Sequence, residues 1–182
     1  LPDGSALTDM EAAVQMLGVF IGGTETVPKI VAHGLWELTE RPDQLAEVRA
    51  DLDTAVPVAR EEMIRYCAPA QWFARTARRP FTLHDTTISP GQRIISLLAS
   101  ANRDERHYDD PDVFDVDRNP MDHLGFGLGN HGCAGQNLAR LEALAVFKAL
   151  VPRVRGFELT GEPVRALNNV TRGFASVPVR IS

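Results

Sequence analysis

The spacing of apolar positions changes several times along this chain, and each change marks a different kind of element. The first opens at Thr8, with Glu11 three residues later, the pairing that caps a helix start reciprocally. Residues 10 to about 39 follow helical spacing, and 16–21 are almost wholly apolar. A helix that is apolar all round is normally buried on every side, so this one is expected to cross the middle of a larger structure. Inside it lies Gly22-Gly23-Thr24-Glu25-Thr26, with Pro28 just beyond. Glycine and proline are poor in helix interiors, and proline frees the carbonyl four residues earlier, that of Thr24. This local conflict predicts a kink or widened groove beside Glu25 and Thr26, the kind of place where function is found.

A helix restarts at Arg41-Pro42 and is expected over about 42–53, and another over about 58–66, ending before Pro69. Residues 73–77 and 81–83 alternate, and Ser89-Pro90-Gly91 marks a turn, so short strands are predicted there. The stretch 94–101 is apolar and small, and 102–132 reads as a long loop rich in Asp, Pro and Gly. A loop of that length is normally functional or disordered. The last helix is expected just after Cys133 and to about 151, with Leu138, Leu141, Ala145 and Ala149 on one face. Residues 161–181 read as a terminal hairpin with Pro178 near a strand edge. The fold class is therefore mainly α with small β-sheets.

Composition narrows the partners more than the fold. The 182 residues are 44% hydrophobic and 24% charged, ordinary values for one globular domain with a real core. A net charge of −5 gives no support to a nucleic-acid partner. Cys67 and Cys133 are too few and too far apart for a disulfide scaffold, which favours a reducing compartment. No uncharged apolar run reaches membrane-spanning length, so no membrane partner is expected and the cytoplasm is the default. The chain begins with Leu1 rather than Met and runs almost directly into the long helix, so an amino-terminal part is expected to be absent.

The chemistry concentrates in Phe126-Gly127-Leu128-Gly129-Asn130-His131-Gly132-Cys133-Ala134-Gly135. Four glycines around one cysteine let the backbone approach something flat and bulky. Cys133 stands at a predicted helix start, where unpaired amides and the helix dipole stabilise an anion and so favour the metal-binding thiolate. A lone cysteine is more often a buried apolar residue, but the glycine spacing argues against that here.

This segment resembles the haem-binding signature of the cytochrome P-450 family, Phe-x-x-Gly-x-x-x-Cys-x-Gly, through Phe126, Gly129, Cys133 and Gly135. The resemblance implies a P-450 fold, carboxyl-terminal portion only, with 1–182 forming the haem-binding part of a single P-450 domain. It implies haem b as cofactor, Cys133 as axial thiolate and metal ligand, and Phe126, Gly127 and Gly135 as haem contacts. His131 matches a position that commonly contacts a haem propionate, and Arg75 resembles the arginine that pairs with one. Glu62 and Arg65 resemble the family's structural Glu-x-x-Arg, with Arg118 completing the network. Gly22-Gly23-Thr24-Glu25-Thr26 resembles the oxygen-activating motif, with Thr26 as hydroxyl and Glu25 as proton-relay carboxylate. Val27 departs from the hydroxyl residue often found after the threonine, and Pro28 is unusual there.

The implied activity is insertion of one oxygen atom from O2 into a small organic substrate. Electrons would come from a ferredoxin and its reductase. Substrate contacts are implied at 70–73 and about 168–171, although Trp72 and Phe73 read equally well as core aromatics. The resemblance covers less than half of a usual member, so a large apolar face is expected on the long helix. The alternatives are a haem-binding fragment without turnover, or a peroxide-using or non-oxygenase haem-thiolate enzyme.

Overall fold

The computed structural model describes residues 4–154 and 156–182; Leu1, where the sequence starts without Met, lies outside them. α1 (Asp9–Thr39) begins at the expected capping box. The Glu11 amide donates to Thr8 Oγ1 at 3.3 Å and the Thr8 amide donates to the Glu11 carboxylate at 2.9 Å. The helix passes through Pro28 unbroken. In place of a break, Thr24 and Thr26 donate their hydroxyls to the carbonyls of Phe20 and Gly22, each at 3.0 Å, a back-bonding that bends helices without ending them.

α2 (Pro42–Ala50) is shorter than expected and α3 (Leu52–Cys67) is longer. Asp51 explains both corrections: it ends α2 and caps α3 by accepting from the Thr54 amide. Pro57 lies in the second turn of α3 and does not stop it. β1 (Trp72–Thr76) pairs antiparallel with β4 (Arg93–Leu97), and β2 (Phe81–Leu83) with β3 (Thr86–Ile88). α4 (Leu98–Ala101) leads into the long loop, which carries 3-10 turns at Leu124–Phe126 and Gly129–His131. α5 (Gln136–Leu150) follows the cysteine.

The terminal segment departs from a single hairpin. β6 (Val164–Arg165) pairs with β7 (Phe174–Ser176), but β8 (Val179–Ile181) pairs with β5 (Phe157–Leu159), upstream of the predicted hairpin. The outcome is mainly helical with small two-stranded sheets, as expected.

The core gathers where α1, α2, α3 and α5 meet, around Ile30, Leu38, Val48, Val56, Met63, Phe114 and Phe147. Gly34 allows this approach, since a Cβ there would lie 2.6 Å from Met63 Sδ and 3.2 Å from Phe147 Cζ. Only the second half of α1 joins that core. Met10, Val14, Met16, Leu17, Val19, Phe20 and Ile21 are all exposed, so the helix is not buried on every side and carries the large apolar face expected of it. Likewise Leu138 and Leu141 face outward from α5, with Ala145 and Ala149, while Ala143 and Phe147 on the other side are buried. The accessible surface is 11750 Å², whereas a compact monomer of this mass would expose about 8,700 Å². No helix among the described residues is long and apolar enough to cross a membrane.

Candidate active site

α3 supplies the floor of the site. Its residues Glu61 to Arg65 are all buried. Arg65 bonds Glu62 bidentately, Nε to Oε2 at 2.6 Å and Nη2 to Oε1 at 2.7 Å. The remaining donors of Arg65 reach the carbonyls of Asn102 and Pro111 at 2.8 Å, and the Asp115 amide donates to Glu62 at 3.1 Å. Arg118 completes the group, its Nε 3.4 Å from Glu62 and its Nη1 donating to the Asp109 carbonyl at 2.6 Å. Two adjoining charges thereby hold much of the long loop against α3.

The cysteine loop lies beyond this floor. The Cys133 amide donates to the Phe126 carbonyl at 2.8 Å, which folds the loop back on itself. Gly127 at φ 67° and Gly129 at φ 70° adopt left-handed backbone open to glycine. A Cβ on Gly129 would meet nothing within 4 Å, and one on Gly135 would stand 3.9 Å from Cys133 Sγ. The loop therefore presents a smooth, uncrowded outer face around the sulfur. Cys133 is exposed and free, whereas Cys67 is the buried cysteine, its thiol pushed well up by burial. Cys133 precedes Gly135, the N-cap of α5, so the sulfur lies just ahead of that helix rather than in its first turn.

The other candidates occupy separate elements. His131 is exposed in the second 3-10 turn, with no hydrogen bond to its ring among the described residues. Arg75 is exposed on β1 opposite Ile94, donating only to the neighbouring Ala74 carbonyl at 2.9 Å. Glu25 and Thr26 lie midway along α1, beside Gly22 and Gly23, where an added Cβ would also meet nothing within 4 Å. Phe126, Gly127, His131, Cys133 and Gly135 thus share one loop, and no hydrogen bond or ion pair among the described residues joins them to Arg75, Glu25 or Thr26.

Glu25 has an unforeseen partner. Lys29 Nζ donates to it at 2.7 Å, and that bond and the lysine's charge hold the carboxyl below its ordinary range. Lys29 is in turn pressed by the terminal strands, since a Cβ on Gly173 would lie 2.7 Å from Lys29 Cγ. The two segments expected to touch substrate are bonded to each other. The Gln71 amide donates to the Val170 carbonyl at 2.9 Å, and Trp72 Nε1 to the Asn169 carbonyl at 2.6 Å. Phe73 is exposed rather than a core aromatic.

The residues present fit a haem. The sulfur is a soft donor suited to iron, Gly127, Gly129, Gly132 and Gly135 surround it, and Gly22, Gly23 and Gly129 open to free space. Comparison with known proteins decides the family, because the cytochrome P-450 model matches residues 2–181. The chain belongs to the cytochrome P-450 family. It is 38% identical over 180 residues to cytochrome p450 CYP199A2 of Rhodopseudomonas palustris, covering 99% of this chain and 43% of that protein. It is 35% identical to a methyl-branched lipid omega-hydroxylase of Mycobacterium bovis, covering 97% of this chain and 42% of the relative. The P-450 fold is equally clear against the solved structure of P450BioI in complex with hexadec-9Z-enoic acid ligated acyl carrier protein. There the TM-score is 0.91 at 35% identity, over 99% of this chain and 47% of that one. The chain thus spans less than half the length of these P-450 relatives.

Sequence reasoning missed Glu61, His123 and Arg140, which form a second charge cluster beside the cysteine loop, with Glu61 and His123 buried and Arg140 partly so. The one local hint was a doubled acid, Glu61-Glu62, set between Arg60 and Arg65 on the helix.

Proposed function

We propose that residues 1–182 are the haem-carrying, carboxyl-terminal part of a single P-450 domain, and that the whole protein is a haem-thiolate mono-oxygenase. It would insert one oxygen atom from O2 into a small organic substrate, using electrons from a ferredoxin and its reductase in the cytoplasm. The observation that carries this reading is Cys133: an unpaired, exposed sulfur on a glycine-lined loop just ahead of a helix.

Haem b, when bound, supplies O2 activation at an iron whose thiolate ligand favours O–O cleavage. The chain's own residues do the rest. Cys133 Sγ would hold the iron, and Phe126, Gly127 and Gly135 would shape the face that the loop offers to the ring. Arg75 and His131, neither held by an ion pair among the described residues, are free to bind carboxylates of the ring. Thr26 Oγ1 donates its proton back to the Gly22 carbonyl, which leaves its lone pairs outward to accept a hydrogen bond; delivering a proton requires the hydroxyl to turn away from Gly22. Glu25 is the carboxylate that feeds it through water, after leaving Lys29.

In the haem-loaded full-length protein, reduction under carbon monoxide should give the red-shifted Soret band of thiolate ligation, and Cys133→Ser or Cys133→His should remove it. Survival of that band in either variant would refute the ligand assignment. Thr26→Ala should keep haem but divert turnover to peroxide; unchanged coupling would withdraw the relay role.

A second reading, a haem-binding segment without turnover of its own, is favoured by the exposed apolar half of α1. Haem uptake by the 182-residue chain alone separates the two. A stable loaded chain that never turns over with electron donors supports the second.

A further inference from the structure

The long loop and the cysteine loop are held by different glutamates. Glu62 takes Arg65, Arg118 and the Asp115 amide, all concerned with the loop upstream. Glu61, also buried, takes residues that bracket the cysteine. On the near side, His123 Nε2 lies 3.2 Å from Glu61 Oε2. On the far side, Arg140 of α5 bonds both Glu61 oxygens, with Nε at 3.0 and 3.1 Å and Nη2 at 3.0 Å. Arg60 adds a contact at 2.6 Å from its own helix.

The tautomer of His123 follows from its other bond. The Gly125 amide donates to His123 Nδ1 at 3.1 Å, which requires an unprotonated Nδ1, so the ring proton is on Nε2 and points at Glu61. Phe126 is caught between the two arms. Arg140 Cζ stands 4.6 Å from its ring centroid and the His123 ring 5.7 Å away on centroids. The carbonyl of that same Phe126 accepts the Cys133 amide. Gly125 allows no slack beneath, because a Cβ there would lie 2.6 Å from Ile64 Cγ2.

We propose that Glu61 is the positioning residue of the cysteine loop: through His123 and Arg140 it clamps Phe126, and Phe126 sets the backbone that carries the Cys133 sulfur. This rests on the reading of Cys133 as the iron ligand. The role of the clamp is to hold the sulfur at one height and direction, so that ligation needs no loop rearrangement. The Glu62 group reaches this stretch by another route, at Leu124, whose amide donates to the side chain of the Arg65 partner Asn102 at 2.7 Å.

The test uses two histidine variants of the haem-loaded full-length protein. In His123→Asn the amide oxygen stands where Nδ1 was and still accepts from Gly125, but the reach to Glu61 is lost. In His123→Gln the terminal amide can donate to Glu61, but the Gly125 bond is lost. Hydrogen exchange at the Cys133 amide should rise on the order of tenfold in His123→Asn. Exchange at the Val116 amide, which is bonded to Gln44, should stay unchanged. At equal haem content the thiolate-type band with carbon monoxide should weaken in His123→Asn and be restored in His123→Gln. Equal acceleration at Val116, an unaltered Cys133 amide, or the reverse order of the two variants would overturn the clamp. If Cys133 is not the ligand, the unmodified protein itself lacks the thiolate band, while the exchange result stands on its own. Should His123→Asn fail to fold, Arg140→Lys, which keeps a charge but loses the fork, provides the same exchange comparison.

Discussion

α3 buries Glu61, Glu62 and Arg65 side by side, whereas the first half of α1 leaves Val14, Met16, Leu17, Val19, Phe20 and Ile21 in water. Each region reverses the usual distribution, and for different reasons. The charges of α3 are tolerable inside because every one meets an opposite charge or a backbone group at bonding distance. The apolar residues of α1 meet nothing, because the elements described here pack only against its second half. The inside-out appearance of α3 is a completed arrangement; that of α1 is a face awaiting cover. The accessible area, well above that of a compact chain of this mass, is the same contrast expressed as surface.

Removing one member of the buried pair should do the most damage. Arg65→Leu strips buried Glu62 of its bidentate partner, leaving it Arg118 at 3.4 Å and the Asp115 amide, and should lower stability by about 3 kcal/mol in urea unfolding. A loss under about 1 kcal/mol would mean that water reaches the pair.

Acid should come next. Burial alone would raise the Glu61 carboxyl, but donors on His123, Arg140 and Arg60 outweigh it and hold the group at about 2 against an ordinary 4.5. A folded value below the unfolded one stabilises above pH 4.5 and is lost as pH falls towards 2. The loss should be on the order of 2–3 kcal/mol at full protonation. Unfolding titrations stepped from neutral pH downward should show this slope, flattened in Glu61→Gln. The buried His33 adds acid sensitivity of the same sign. Desolvation depresses its value despite the bond to Glu37, so stability is lost as pH falls through its titration.

Smaller effects belong to α1. Thr8→Ala removes the hydroxyl arm of the capping box, leaving the Thr8 amide bond to Glu11, and should cost about 1 kcal/mol, read as faster amide exchange in the first turn. Phe20→Ser should shift the melt of this chain by no more than about 0.5 kcal/mol, because nothing packs on the ring. A large destabilisation would show that this half of α1 is covered in solution, and sedimentation of the chain would reveal by what.

Legibility in the sequence followed the range of the interactions. The capping box, the Glu62–Arg65 pair and the spacing around Cys133 are local, and each was readable from neighbours a few residues apart. The two helices around Asp51 were misjudged because a single capping residue, not the apolar pattern, sets their boundary. Partners of β5 and β8 lie on either side of the inner β6–β7 ladder, so a reading that closes the nearest hairpin stops too early. The Glu61 cluster joins residues 62 and 79 positions apart, a distance at which no periodicity applies. Exposure of Leu138 and Leu141 escaped for a simpler reason. An apolar pattern states that a face requires cover and says nothing of whether cover is present.

Neighbours on a helix point about 100° apart, so Glu61 and Glu62 address different loops from a single rung. A one-residue slip of α3 would carry one acid into the other's place and turn the other away from both sets, leaving the partner guanidinium groups of one loop without their carboxylate. The doubled acid therefore works as a key with two teeth: only one rotational setting of the helix lets both loops close, which ties the folding of the upstream loop to that of the cysteine loop.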